Sequence, residues 1–355
     1  MRLDQVVVAA SPGDAITGMA MRLRDELARA IDSDVFALHV HPSLVDDVRP
    51  FEEITRLAAC GPVVYHMSIG CDEIVRWLRR TSRPVVLDYH NITPSQYFNA
   101  IDPVFAALLA QGRKELRDLA PVVQRAIAVS TYNAQELLEA GYRDVQVATP
   151  VLSTERLLDL QPAWLMQNHL EQMVHGPVIL AVGQLLPHKR VDRLIEAYHI
   201  LVSHHLPDAK LIIVGAARND AYARALTHQV RQLNLPGAWL TGSVSDEELV
   251  ALFRRADVFA TMSEHEGFCF PVVEAFAFGV PVLARRFAAL PDTVGNGGLL
   301  LAPDDGVAVA AEAMLELIQN QGLRTRLIQR GLERADAFAP RRALRRHLEL
   351  LAEVA

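Results

Sequence analysis

Two carboxylates, a lysine and a pair of histidines are the residues of this chain whose types and spacing could do chemistry. Glu266 and Glu274 lie in EHEGFCFPVVEAF with seven residues between them. A carboxylate cannot hold a phosphate, but it accepts hydrogen bonds from paired hydroxyls. Between the two acids, Pro271 fits the first position of a helix, where its missing N–H costs nothing. Gly267 lets the backbone come close to a ligand. A helix starting there points unpaired N–H groups and the positive end of its dipole at whatever lies before it. Phosphate at that end, with hydroxyl acceptors on either side, describes a nucleotide-sugar. A plainer reading stays open, in which Glu274 favours the helix dipole and Glu266 is solvated. Lys189 stands just before a second helix start, in LLPHKRVDRLIEAY. A lysine there opposes the helix dipole; an anionic ligand would remove the conflict, and a solvated side chain is the alternative. His66 in PVVYHMSIG, and His90 with Asn91 in PVVLDYHNITP, close two apolar runs. One histidine at a strand end is more often structural than catalytic; two at neighbouring ends shift the balance.

These residues need elements to hold them. Val258–Ala260 form a short apolar run ending at Thr261, as a buried parallel strand does. Gly279 fits the residue just past the helix end, and Val280 to Ala284 start the next strand. The loop after a parallel strand lies at the carboxyl edge of its sheet, where ligands of open α/β sheets bind. Other strands are expected at Gln5–Ala10, Val35–Val40, Pro62–Met67, Pro84–Tyr89, Arg125–Val129 and Asp144–Ala148, then from Val178 to Gly183 and in KLIIVGAA and AWLTG. Repeated β–α alternation implies mainly parallel sheets covered on both faces. The first loop, SPGDAITG, puts Gly13 and Asp14 either in a tight turn or beside a ligand; the helix after it runs through Met19, Leu23, Leu27 and Ile31. Tyr97, Phe98, Ile101, Phe105, Leu108 and Leu109 have helical spacing and point to core packing, with an acceptor wall or a lipid-facing surface as alternatives. Ser130 can cap the helix that follows it, and Ser245 with Glu248 forms a capping box. Residues 150–177 lack strand pattern and end in Gly-Pro, so the domain boundary is placed near Glu171–Pro177.

The totals narrow the classes. A chain of 355 residues has room for two ordinary domains, and 51% hydrophobic residues argue against disorder. A net charge of −7 argues against nonspecific nucleic-acid binding. The three cysteines have no metal-ligand spacing and their small number suggests a reducing compartment. No signal peptide is visible and no apolar run is long enough for a membrane span, so the expected location is the cytoplasm.

The segment EHEGFCFPVVEAFAFGVPVLAR resembles the Glu-x7-Glu signature of retaining family 4 glycosyltransferases, through its Gly-Phe pair, proline, Glu-Ala pair and Gly-Val-Pro-Val. The resemblance extends over nearly the whole chain. It implies the GT-B fold, two Rossmann-like domains with parallel sheets facing across a cleft: residues 1–172 for the acceptor, 173–338 for the nucleotide-sugar, and a terminal helix, 339–355, crossing back. It implies transfer of a hexose from a UDP- or GDP-sugar to a hydroxyl acceptor, with retention and no essential metal or other cofactor. On the donor side it implies Gly183, Gln184, Lys189, Glu266, Gly267, Phe268, Cys269, Phe270, Pro271, Val272 and Glu274, with Gly13 from the first loop. His90 is expected at the sugar, and Asp14, His66, Asn91 and Ser130 on the acceptor side. His90, Lys189 and Glu266 are the expected catalytic residues. Two departures stand out. Gln184 occupies the position of the family's diphosphate-binding arginine, a charge that Arg190 or Arg193 would have to supply. Asp292 replaces the usual glutamate of a closing loop. Rival readings are another GT-B enzyme, such as a sugar-nucleotide epimerase, and a nucleotide-sugar-binding regulator or inactive partner subunit. The arginines of the last helix leave a solvated face or a peripheral contact with anionic membrane open.

Overall fold

The computed structural model describes residues 2–57, 60–152 and 154–354. The chain divides into two compact units, Met1–Leu152 with Pro340–Ala355, and Ser153–Ala339.

The first unit carries β1 (Asp4–Ala10), β2 (Val35–Val40), β3 (Arg49–Pro50), β4 (Val63–Met67), β5 (Val85–Tyr89), β6 (Val123–Ala128) and β7 (Val145–Val147). They form a seven-stranded sheet in the order β3-β2-β1-β4-β5-β6-β7, with every pair parallel. β4 and β5 are buried along their whole length, as strands covered on both faces must be. Register sets His66 of β4 directly beside Asp88 of β5. Alternation puts Gln5 and Val64 on the same face. That face is closed by the terminal helix Pro340–Ala352, whose Leu350 and Leu351 join Val64, Val86 and Ile127 in one core cluster.

The second unit carries β8 (Val178–Val182), β9 (Lys210–Val214), β10 (Ala238–Gly242), β11 (Val258–Ala260), β12 (Val282–Arg285) and β13 (Gly298–Leu301). The order is β10-β9-β8-β11-β12-β13, again all parallel. Successive residues alternate between two apolar cores: Ile179, Ile213, Val258 and Leu283 face one, Leu180, Ile212, Phe259 and Val282 the other. The strand order reverses between β8 and β11, so the loops after these two strands leave the sheet side by side at the switch point where open α/β sheets bind ligands.

Three expectations need correcting. The boundary falls at Leu152, not 172. Helices Thr154–Asp159 and Trp164–Met173 belong to the second unit, where the Ala163 N–H donates to Glu247 O at 2.9 Å and Leu170 is buried in its core. Helical spacing across 93–112 is not one helix. Ser95–Tyr97 is a single 3₁₀ turn, and the helix starts at Pro103, capped by Asp102, which accepts from the Phe105 N–H at 3.0 Å. Phe98 and Phe105 still meet edge-to-face at 4.9 Å, as core packing requires. The first helix ends at Leu27, short of Ile31.

Candidate functional site

In the second unit, Gly183 to Arg190 leave β8 and Thr261 to Cys269 leave β11. Two backbone features shape them. Gly183 and Gly215 sit at φ 148° and 150°, and a Cβ on Gly215 would meet Gly183 O at 1.9 Å. Only glycine fits that approach. Arg190 and Cys269 hold φ 49° and 78°, sparsely populated for side chains of this size, and each caps the helix after it.

The two loops meet at Lys189 and Glu266. Lys189 Nζ donates to both carboxylate oxygens of Glu266, at 2.6 and 2.7 Å. Glu266 is buried and Lys189 keeps 22% of its side-chain surface exposed. Burial works against the lysine's charge, but Glu266 more than offsets it and the net shift is upward, so Lys189 is held as an ammonium.

The helix after the loop runs Phe270–Ala277, so Pro271 takes its second position, not its first. The Val272 N–H donates to Cys269 O at 3.2 Å. The N–H groups of Phe268, Cys269 and Phe270 have no partner among the described residues. Successive free amides about a left-handed residue make a concave anion site, reinforced by the helix dipole. One turn on, Glu274 makes no side-chain hydrogen bond or ion pair among the described residues. Desolvation pushes its pKa up to about 7. Cys269 is buried beside Glu266 and its thiol is pushed up by desolvation, so it is inert.

Gln184 is exposed at the mouth of the β8 loop. Neither neighbouring arginine replaces the charge its position lacks. Arg190 is bridged to Asp192, at 3.1 Å, and to Glu264, which also takes Arg285 at 3.3 Å. Arg193 pairs with Glu196 at 3.2 Å. Thr293, which sequence reasoning missed, steadies the Gly267–Cys269 turn by donating its hydroxyl to Phe268 O, while Arg334 holds the backbone around Asp292 and Thr293.

In the first unit, Gly13 adopts φ 74° with open space around it, and Asp14 caps the next helix by accepting from the Thr17 N–H at 2.8 Å. Ser130 likewise caps its helix, accepting from the Asn133 N–H at 3.2 Å. Asn91, at φ 82°, donates to Asn133 at 2.9 Å and Glu136 at 3.0 Å. These three polar groups are thus engaged in local structure. His66 and His90 do come together, with Nδ1 of the first 3.0 Å from Nε2 of the second. Sequence reasoning missed what surrounds them: Gln5, Asp88 and His347. Strand alternation could have flagged Asp88, two residues before His90 and level with His66, but not a partner from the last helix. Among the described residues, His66, Asp88 and His90 alone have the composition of a metal site. The fit is poor, because the facing nitrogens of the two rings hydrogen-bond each other and are not left for an ion.

Two parallel sheets with this strand order, each built on β–α units, give the chain the GT-B fold. Residues 167–334, inside the second unit, match the family model described as glycosyl transferases group 1. The O-antigen chain mannosyltransferase B of Escherichia coli is 31% identical over 164 residues, 45% of this chain and 42% of that protein. A GDP-mannose-dependent alpha-mannosyltransferase of Mycolicibacterium smegmatis is 36% identical over 144 residues, 40% of this chain and 35% of that protein. The chain thus covers less than half the length of these curated relatives. Over the whole fold it is similar to Anabaena HepE solved with UDP and glucose, with a TM-score of 0.81 at 18% identity, covering 99% of this chain and 100% of that one. No helix among the described residues is long and apolar enough to cross a membrane.

Proposed function

We propose that this chain is a retaining hexosyltransferase of the EC 2.4 class, moving a sugar from a nucleotide-diphosphate donor to a hydroxyl acceptor. The observation that carries the reading is one loop pair that presents a half-buried ammonium with three amides and a carboxylate that have no partner among the described residues. Lys189 and the amides of Phe268 to Phe270 take the diphosphate. Glu274 accepts from the ribose diol. Glu266 and the backbone at Gly267 position the sugar hydroxyls. Mannose and guanosine are the first sugar and base to test, because the two relatives above are named as mannosyltransferases, one GDP-mannose-dependent.

The reaction builds negative charge on the leaving diphosphate as the sugar turns oxocarbenium-like. Fixed donors aimed at that charge are the largest expected term, and losing one lowers the rate by about 100- to 1,000-fold. The residues named above include no carboxylate pair arranged as nucleophile and acid. Front-face attack, with the leaving phosphate taking the acceptor proton, is therefore the proposed route, without an essential metal.

A thermal-shift screen of GDP-mannose, UDP-glucose and ADP-glucose tests the reading, since a donor that binds only the folded state must raise its stability. No stabilisation by any nucleotide-sugar would sink it. A second reading is favoured by Gln184 with Arg190 and Arg193 already paired: donor binding without turnover. Stabilisation without transfer or hydrolysis across an acceptor panel would select it.

A further inference from the structure

We propose that His347, acting through Asp88, fixes the direction of the His66–His90 hydrogen bond, so that His90 offers Nδ1 as a bare acceptor. The bond direction does not depend on the function proposed above.

The argument starts at Gln5. Its Nε2 donates to Ala20 O at 3.0 Å, which settles the orientation of the amide, because only the NH₂ end can serve a carbonyl. Gln5 Oε1 therefore faces His66 Nε2, 2.9 Å away, and that nitrogen must carry a proton. The other nitrogen of His66 lies against His90 Nε2 with one proton between them. If His66 is neutral, its Nδ1 accepts, His90 Nε2–H donates, and His90 Nδ1 is bare. If His66 is cationic, its Nδ1–H donates, His90 Nε2 accepts, and a neutral His90 carries its proton on Nδ1. The direction of the bond is thus the charge of His66.

Asp88 decides that charge. It is fully buried, neither oxygen has a hydrogen-bond partner among the described residues, and a bare buried carboxylate requires a cation. Three rings flank it, the nearer two being His66, with Nδ1 at 3.4 Å, and His347, with Nε2 at 3.7 Å. His90 Nε2 is at 3.8 Å. His347 Nδ1 lies 2.9 Å from Ala343 O, an acceptor, so this nitrogen is protonated. A neutral His347 would then aim at the carboxylate a buried lone pair with no donor to accept from among the described residues, whereas the lone pair of a neutral His66 Nδ1 accepts from His90 Nε2–H at 3.0 Å. The charge therefore belongs on His347, and His66 stays neutral. Arg346, next to it on that helix, is turned to Gln146 at 3.1 Å and Glu349 at 3.7 Å. Burial, which favours neutral His90, and the carboxylate, which outweighs burial at His347, act in the same sense: His90 is lowered to about 4 and His347 is raised.

Removing the His347 charge should make Asp88 draw its counter-charge from His66 and reverse the bond. The test is ¹⁵N-histidine NMR of the full chain, with His90 assigned through His90→Gln. Wild type should show His90 protonated at Nε2 and bare at Nδ1; His347→Gln should show the reverse, and His347→Lys should restore the first pattern. A proton on His90 Nδ1 in wild type overturns the proposal without any variant, so a misfolded His347→Gln does not shelter it. The same pattern in wild type and a folded His347→Gln overturns it too. So does a stoichiometric divalent ion whose chelation changes the His90 signals. If the bond reverses while KM and kcat for the donor do not move, the relay stands and the role of His90 in transfer falls.

Discussion

Lys189 and Glu266, 77 residues apart, close on each other through two hydrogen bonds at 2.6 and 2.7 Å. In the ligand-free chain each therefore stands in for the other's expected partner, the ammonium for sugar hydroxyls and the carboxylate for a diphosphate. On the proposed reading, donor binding exchanges these contacts. A buried pair contributes little net stability when intact, yet breaking it from one side leaves an uncompensated charge.

Lys189→Met should therefore destabilise the fold by about 3–5 kcal/mol, through the stranded Glu266. The Lys189→Met/Glu266→Gln double variant should regain most of that stability but no donor affinity. Chemical denaturation with titration calorimetry separates the two. Donor binding at wild-type strength by the double variant would remove the pair from the site.

Glu274 is held in the fold at a cost to stability. Its pKa of about 7 lies above the ordinary 4.5 of an unfolded chain, so the unfolded state loses its proton first and stability falls as pH rises between these values. Glu274→Gln should stabilise the ligand-free protein by about 2–3 kcal/mol at pH 8, and by less than about 1 kcal/mol at pH 5. The same change should abolish the rise in donor affinity expected from pH 6 to 8, because only the carboxylate accepts from both hydroxyls of a diol through its two oxygens. A donor affinity flat with pH in wild type would contradict this role.

The buried rings of His90 and His188 act in the other direction. Burial lowers them to about 4 and about 2. Below about pH 6.5 the unfolded chain protonates these residues and the native one does not, so stability falls with pH. The two together should lower it by roughly 4 kcal/mol between pH 7.5 and 5. His347 has the opposite sign: its raised value adds stability that is complete below the unfolded pKa and lost as pH rises through the folded one. Denaturation in a Glu274→Gln background isolates the histidines. A flat profile below pH 6.5 would mean both rings charge freely in the native state.

Gly215→Ala should cost about 1–3 kcal/mol from overpacking and weaken donor binding, since its Cβ would push Gly183 O from 1.9 Å and shift the loop carrying Lys189. Gly306→Ala, with open space around it, is the matched control. Equal effects of the two would show that the Gly183–Gly215 approach is not what holds the loop.

Much of this was legible because punctuation residues mark it. Val35–Val40 is bounded as the apolar run predicts, and Pro271 and Gly279 mark a helix that starts one residue earlier than expected, at Phe270, and ends before a glycine at φ 68°. What the sequence hid lies in long-range geometry. Nothing local says that Arg190 is captured by Glu264, or that His347 reaches Asp88 on a strand 259 positions earlier. Nor does propensity announce left-handed Arg190 and Cys269, residues whose conformation tertiary contacts impose. The boundary was misplaced for a related reason: helices 154–159 and 164–173 have no strand pattern, and only packing reveals which core they join.

Titration calorimetry of GDP-mannose and UDP-glucose onto the wild type, Glu274→Gln and Lys189→Met/Glu266→Gln at pH 8 tests the central claim most directly. Saturable one-to-one binding of one donor to the wild type, weakened at least about tenfold, or 1.4 kcal/mol, in both variants, is the predicted result. Equal affinity in all three proteins would place the nucleotide-sugar away from the helix that opens at Phe270 and contradict the account.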